Sequence, residues 1–134
     1  MSRSGYSDDG ENVCLWRQAV HRATTGYRGQ HLLCKLRDAL DAMPVKRLIR
    51  DAIQTPEGDV CALGALDPNV AIYEAEELAK HFGIARALAA EIVYMNDEVP
   101  YGVETPEQRW MRMRAWVESQ ILKPTVESPG DVDR

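Results

Sequence analysis

Apolar residues recur every three or four positions along most of this chain, in runs that glycine or proline tends to interrupt. That recurrence constrains the fold more than any other feature. A period near 3.6 gathers such residues on one side of a helix, and that side must be buried against other helices. Val13, Trp16 and Val20, with Leu15, Ala19 and Ala23, make a first stripe. Ahead of it, Ser7-Asp8-Asp9-Gly10-Glu11 reads as a helix start, with Asp8 as N-cap and Glu11 at N3 in a capping box. This helix is expected to end near Thr24, before the glycine-punctuated turn Thr25-Gly26-Tyr27-Arg28-Gly29. From about Gln30, Leu32, Leu33, Leu36, Leu40 and Met43 form a second stripe, which Pro44 stops.

A β signal follows. Arg47-Leu48-Ile49 leads to Thr55-Pro56-Glu57-Gly58, a turn composition, and Asp59-Val60-Cys61 returns, so a short hairpin is expected, covered by helices. Cys61-Ala62-Leu63-Gly64-Ala65-Leu66 is small and apolar, a short buried helix ended by Asp67-Pro68. Glu74 to Phe82 is a further helix with Gly83 as its C′ residue. Ala85 to Met95 is the next, with Leu88, Ile92 and Met95 on one stripe. Thr105-Pro106-Glu107-Gln108 opens the last helix with an N-cap threonine, proline at N1 and glutamine at N3. There Trp110, Met113, Val117 and Ile121 are expected to face the core. The expected fold is mainly α, a compact bundle of about five helices with one small β-hairpin. Residues 1–122 form a single helical domain with a short polar N-terminal lead, and 123–134 a flexible C-terminal tail.

A length of 134 residues suits one core rather than two. Charges break every long apolar stretch, so no membrane span is expected. Met1 to Gly10 is polar and lacks the apolar block of a signal peptide, which points to the cytoplasm. Cys14, Cys34 and Cys61 are odd in number and widely spaced, against a disulfide framework. The net charge of −5 disfavours nonspecific nucleic-acid binding, yet it is unevenly spread. Leu15 to Arg50 holds eight Lys/Arg against two Asp, whereas Asp51 to Arg134 holds seven against sixteen Asp/Glu. The preferred reading is that the two halves pair in the fold; the alternative is a basic face that meets an anionic partner.

Several short motifs occur in a definite order: Tyr6-Ser7-Asp8-Asp9, Arg28-Gly29-Gln30, Val60-Cys61-Ala62-Leu63-Gly64-Ala65 and Tyr94-Met95-Asn96-Asp97-Glu98. Glu104-Thr105-Pro106-Glu107-Gln108-Arg109 and Met113-Arg114-Ala115-Trp116-Val117 complete the series. With these the chain resembles, from Tyr6 to Ile121, a family of small uncharacterised proteins encoded by tailed phages and integrated prophages of bacteria. It departs after Ala65, where Leu66-Asp67-Pro68-Asn69 replaces a longer glycine-containing stretch. The resemblance implies a context, a phage or prophage accessory protein acting inside a bacterial host, and no activity.

Candidate chemistry is sparse. Cys61, where the chain enters a helix, is the candidate nucleophile; His21, His31 or His81 would be its base and Asn96 or Asp97 the orienting group. A small buried thiol is the preferred reading. His31 and Cys34 share a helix face, but no second pair completes a zinc set. Leu78 to Ile84 resembles the start of a helix-turn-helix, although the helix after it offers only Arg86 to DNA. Arg17, Arg22, Arg28, Lys35, Arg37, Lys46, Arg47 and Arg50 make a stronger nucleic-acid candidate, with Arg22, Arg28 and Arg47 as its test positions. Val99, Pro100, Tyr101 and Val103 are apolar residues on an otherwise polar loop, and Val99 and Tyr101 are candidate protein contacts. No metal or cofactor is expected. The preferred function is non-catalytic binding of a host or phage protein. The alternatives are an accessory nucleic-acid binder using Arg17–Arg50 and a cysteine-dependent enzyme centred on Cys61.

Overall fold

The computed structural model describes residues 13–67, 74–98 and 103–122. Six α-helices lie within them: α1 (Val13–Thr25), α2 (Tyr27–Ala42), α3 (Ala62–Leu66), α4 (Ala75–Phe82), α5 (Arg86–Asp97) and α6 (Pro106–Gln120). The expected capping box at Asp8 and Glu11 and the tail 123–134 lie outside the described residues.

The expected hairpin is not formed. The described residues hold no β-strand, only an isolated antiparallel bridge between Gln54 and Val60, and the fold is an all-α bundle of six helices. The turn itself is real, since the Gly58 N–H donates to the Thr55 carbonyl at 2.9 Å. Its incoming arm is what fails. The Leu48 N–H is spent on the Pro106 carbonyl at 3.0 Å, outside any ladder. Three residues on, Asp51 turns left-handed with φ 65°, a conformation that ends regular extension. Residues 43–61 therefore run as an irregular strap whose backbone groups bond to α6, α5 and each other.

The glycine turn is also tighter than its composition suggests. α1 ends at Thr25 and α2 starts at Tyr27, with Gly26 alone between them. The two helices can meet so closely because of Gly29. A Cβ there would stand 2.0 Å from the Ala23 carbonyl oxygen and 3.1 Å from Leu88 Cδ2. Gln30 then ties this corner to the far end of the chain. Its Nε2 donates to the carbonyls of Thr24 (2.7 Å) and Gln120 (2.9 Å), and its Oε1 accepts the Leu122 N–H at 2.8 Å.

α5 is the central element and packs against α1, α3, α4 and α6. Its alanines and aliphatics are buried around most of the helix: Leu88, Ala89, Ala90, Ile92 and Val93. Leu32, Leu33, Leu36 and Leu40 of α2, Leu78 of α4, and Met113 and Val117 of α6 complete the core. α6 starts as the sequence dictates. Thr105 caps the Gln108 N–H at 3.1 Å and the Gln108 side chain returns the bond at 2.9 Å. Trp110 is half-buried; its Nε1 donates to the Leu40 carbonyl at 3.2 Å and the Lys46 ammonium lies 5.5 Å from the ring centre.

Candidate functional site

Two polar assemblies are built where the strap meets α5 and α6. The first is a clasp at the C-terminal end of α5. Asn96 is 1% exposed. Its Oδ1 accepts the Ala62 N–H at 3.1 Å, and its Nδ2 donates to the Ile49 carbonyl and to Asp97 Oδ1, both at 2.9 Å. Asp97 Oδ1 in turn accepts the N–H of left-handed Asp51 at 3.1 Å. One residue pair thus satisfies two strap backbone groups, the Ile49 carbonyl and the Asp51 N–H, and the buried N–H of Ala62 at the start of α3.

The second assembly joins the residues before α6 to its first turns. Arg112 grips Glu104 through two bonds, 2.6 and 3.0 Å, and also donates to the Met95 carbonyl. These bonds hold the Glu104 carboxyl below its ordinary range against the opposing cost of burial, and the charges of Arg112 and Arg109 add to the effect. Arg109 is 4% exposed, one helical turn before Met113 on the same face of α6. It donates to the Leu48 carbonyl at 3.3 Å and lies 3.3 Å from Glu104 Oε1 in an ion pair. Its Nε makes no hydrogen bond. Loss of water lowers its basicity, as do the charges of Arg112 and Arg50, while Glu104 and Asp97 oppose them.

Beside this pair an open cleft of about 480 Å³ is lined by Ile49, Arg50, Ala52, Thr55, Val103, Glu104, Pro106 and Arg109. Four of the eight are apolar, and Val103 is 98% exposed. The lining combines this apolar wall with two guanidinium groups, that of Arg109 buried and that of Arg50 exposed, and with the Glu104 carboxylate. It holds no nucleophile with a base beside it.

The candidates read from the sequence fall elsewhere or apart. Cys61 is 1% exposed and stands at the N-cap of α3, and its N–H donates to the Ile53 carbonyl at 3.1 Å. Asn96, offered as an orienting group, spends its amide on the backbone next to that cysteine. His81 pairs with Asp67 at 3.0 Å on the surface, and His31 stacks with Tyr27 on α2. Arg22 and Arg28 are exposed around the α1–α2 corner. Arg47 lies past the opposite end of α2, 3.5 Å from Asp59. From Arg28 to Ala42 that helix rises about 21 Å, so the three arginines are not brought together. Val99 and Tyr101 lie outside the described residues.

The helix-turn-helix corner exists as geometry: Gly83 is left-handed with φ 70° and the Ile84 N–H bonds to Ala79. Its second helix is α5, which is buried and presents no base-reading face. Arg86 lies over the Trp16 ring, 5.5 Å from its centre. Glu91 takes two bonds from Arg17, 2.6 and 3.2 Å, joining the basic and acidic halves. Among the described residues no three His, Cys, Asp or Glu converge as a metal site, and no helix is long and apolar enough to cross a membrane.

Sequence reasoning missed Arg109, Arg112 and Glu104 as a unit. The signal was present in the position of Arg109, four residues before Met113 and eight before Val117, on the stripe assigned to the core. Comparison with protein-family models, curated proteins and solved structures finds no match for this chain.

Proposed function

We propose that this chain is a non-catalytic accessory protein of a tailed phage or prophage, working in the host cytoplasm by binding a host or phage protein. The motif resemblance supports the context. The binding reading rests on one observation: Val103, almost fully exposed, stands on the rim of an apolar-walled cleft that the strap and α6 hold open. Concave sites with apolar walls and a few placed polar groups are where proteins commonly bind, and residues on connecting loops commonly make the contacts.

The test is retention of a partner by tagged protein expressed in infected or lysogenic bacteria, with Val103→Glu alongside. The expected result is one protein retained by the parent chain, resistant to nuclease and lost with V103E. Retention that nuclease abolishes would shift the reading to the exposed arginines of the α1–α2 corner. A partner held equally by both forms would place contact elsewhere.

A further inference from the structure

Arg109 poses a bonding problem. A guanidinium has five N–H donors in a fixed fork. That of Arg109 is buried, its Nε is without a hydrogen bond, and among the described residues its hydrogen bond goes to the Leu48 carbonyl. The neighbouring carboxylate does not remedy this. Both Glu104 oxygens accept from Arg112, and Oε1 lies 3.3 Å from Arg109 Nε without forming a hydrogen bond to it, so Glu104 gives Arg109 charge without an aligned acceptor. Arg50, exposed on the same cleft, adds a second guanidinium, with its Nε 2.9 Å from Asp51. Ile49, Ala52, Val103 and Pro106 supply the apolar wall around them.

From this arrangement we infer that the cleft recognises an acidic peptide segment of a partner protein, an Asp or Glu carboxylate seating on Arg109 while a neighbouring aliphatic side chain packs on Ile49, Ala52, Val103 and Pro106. A carboxylate would meet the terminal N–H groups of Arg109 end-on, in a bidentate geometry suited to guanidinium, while the Nε stays closed to solvent beside Glu104. Arg50 and Arg112 attract the incoming charge and Glu104 and Asp97 oppose it, so the carboxylate seats on the guanidinium side of the cleft, away from Glu104. The apolar wall sets the orientation, since a carboxylate alone would leave it wet. The inference rests on the protein-binding reading and specifies its chemistry.

The experiment observes Arg109 directly, through its Nε–Hε resonance in a ¹H–¹⁵N spectrum of the whole protein. The probes are N-acetyl-leucyl-glutamyl amide, its glutaminyl analogue and inorganic phosphate. The glutamyl peptide should shift the resonance saturably, and the glutaminyl analogue should bind roughly 10-fold more weakly or worse, the loss expected for a charge-assisted bond. Val103→Glu, a change at an exposed site that leaves Arg109 in place, should weaken both peptides by removing part of the apolar wall, and the glutamyl peptide more, because the new carboxylate repels it. Equal shifts by both peptides, no shift by either, or a response to phosphate alone would overturn the inference. A partner lost with V103E while the peptides stay silent would keep the protein-binding reading and discard the carboxylate. Peptide binding with no partner retained in cells would do the reverse.

Discussion

Removing the Asn96 side chain tests the clasp at the junction of strap and bundle. Asn96→Ala withdraws the acceptor from the Ala62 N–H and the donor from the Ile49 carbonyl, and takes one hydrogen bond from Asp97. The fully buried Ala62 N–H and the partly buried Ile49 carbonyl are then left without their partner. Each buried unsatisfied group costs about 1–3 kcal/mol, and the charged Asp97 loses a partner besides, so the change should cost about 3–5 kcal/mol. Against a typical total of about 5–15 kcal/mol that is a large share. It corresponds to a melting-temperature drop of roughly 10–20 °C for a domain of this size. Urea unfolding followed by far-ultraviolet circular dichroism measures it, and the slope should stay constant if the native state is intact. Asn96→Asp sharpens the test. The acceptor for Ala62 survives, but a carboxylate now faces Asp97 where an amide donated. Burial and like charge raise the pKa of the new carboxyl in the folded state above its unfolded value. A raised carboxyl pKa means the folded state holds the proton more tightly, so this deficit is greatest at neutral pH and shrinks on acidification relative to Asn96→Ala. A loss below about 1 kcal/mol for Asn96→Ala would refute the reasoning, because these two backbone groups cannot be stranded so cheaply.

Three further outcomes follow from the same geometry. Glu104→Gln should cost on the order of 3 kcal/mol at neutral pH by leaving Arg112 and Arg109 without their anion. Because the folded pKa of Glu104 is depressed, its contribution is present above the unfolded value near 4.5 and lost as pH falls through the folded one. The variant should therefore show a smaller loss of melting temperature than the parent chain over that acidic range. Gly64→Ala should destabilise by about 2–3 kcal/mol, since its Cβ would lie 2.2 Å from the Ile53 carbonyl oxygen, and an unchanged urea midpoint would show that α3 can move away at no cost. Cys61 should react with a thiol reagent far more slowly in the folded than in the unfolded protein, whereas Cys14, which is exposed, reacts at once; mass spectrometry of labelled peptides separates them, and rapid folded-state labelling of Cys61 would revive the cysteine enzyme.

The helices were legible because their signals are local. The stripe of α2, Gly83 after α4, and Thr105, Pro106 and Gln108 at the start of α6 each act within one or two turns of chain. The strap was misread for the opposite reason. Arg47-Leu48-Ile49 has strand-like composition and keeps one bond across the turn, Ile49 N–H to the Val60 carbonyl, but the Leu48 N–H and the Ile49 carbonyl go to Pro106 and Asn96, about fifty residues away, and no local pattern reports them. The arginine-carboxylate unit of α6 was hidden by the habit of assigning charged residues to the surface. Arg109 is inside because Glu104 and the Leu48 carbonyl are inside with it, a reciprocity that the spacing alone does not reveal. The quoted motifs prove informative about architecture. Gly29 and Gln30, Gly64, Asn96 and Asp97, and Glu104 with Arg109 all occupy junctions between elements.

The position of α5 bears on how the chain acquires its fold. A helix enclosed by α1, α3, α4 and α6 has its whole apolar perimeter covered only when all four are in place. Short helices are marginal in water when isolated, so twelve residues such as these gain stability only once their neighbours arrive. Fragments ending before α6 should then remain collapsed and fluctuating rather than form a stable half. In the intact protein the α5 amides should exchange with solvent only through global opening, and the α4–α5 corner should unfold together with the rest as one cooperative unit.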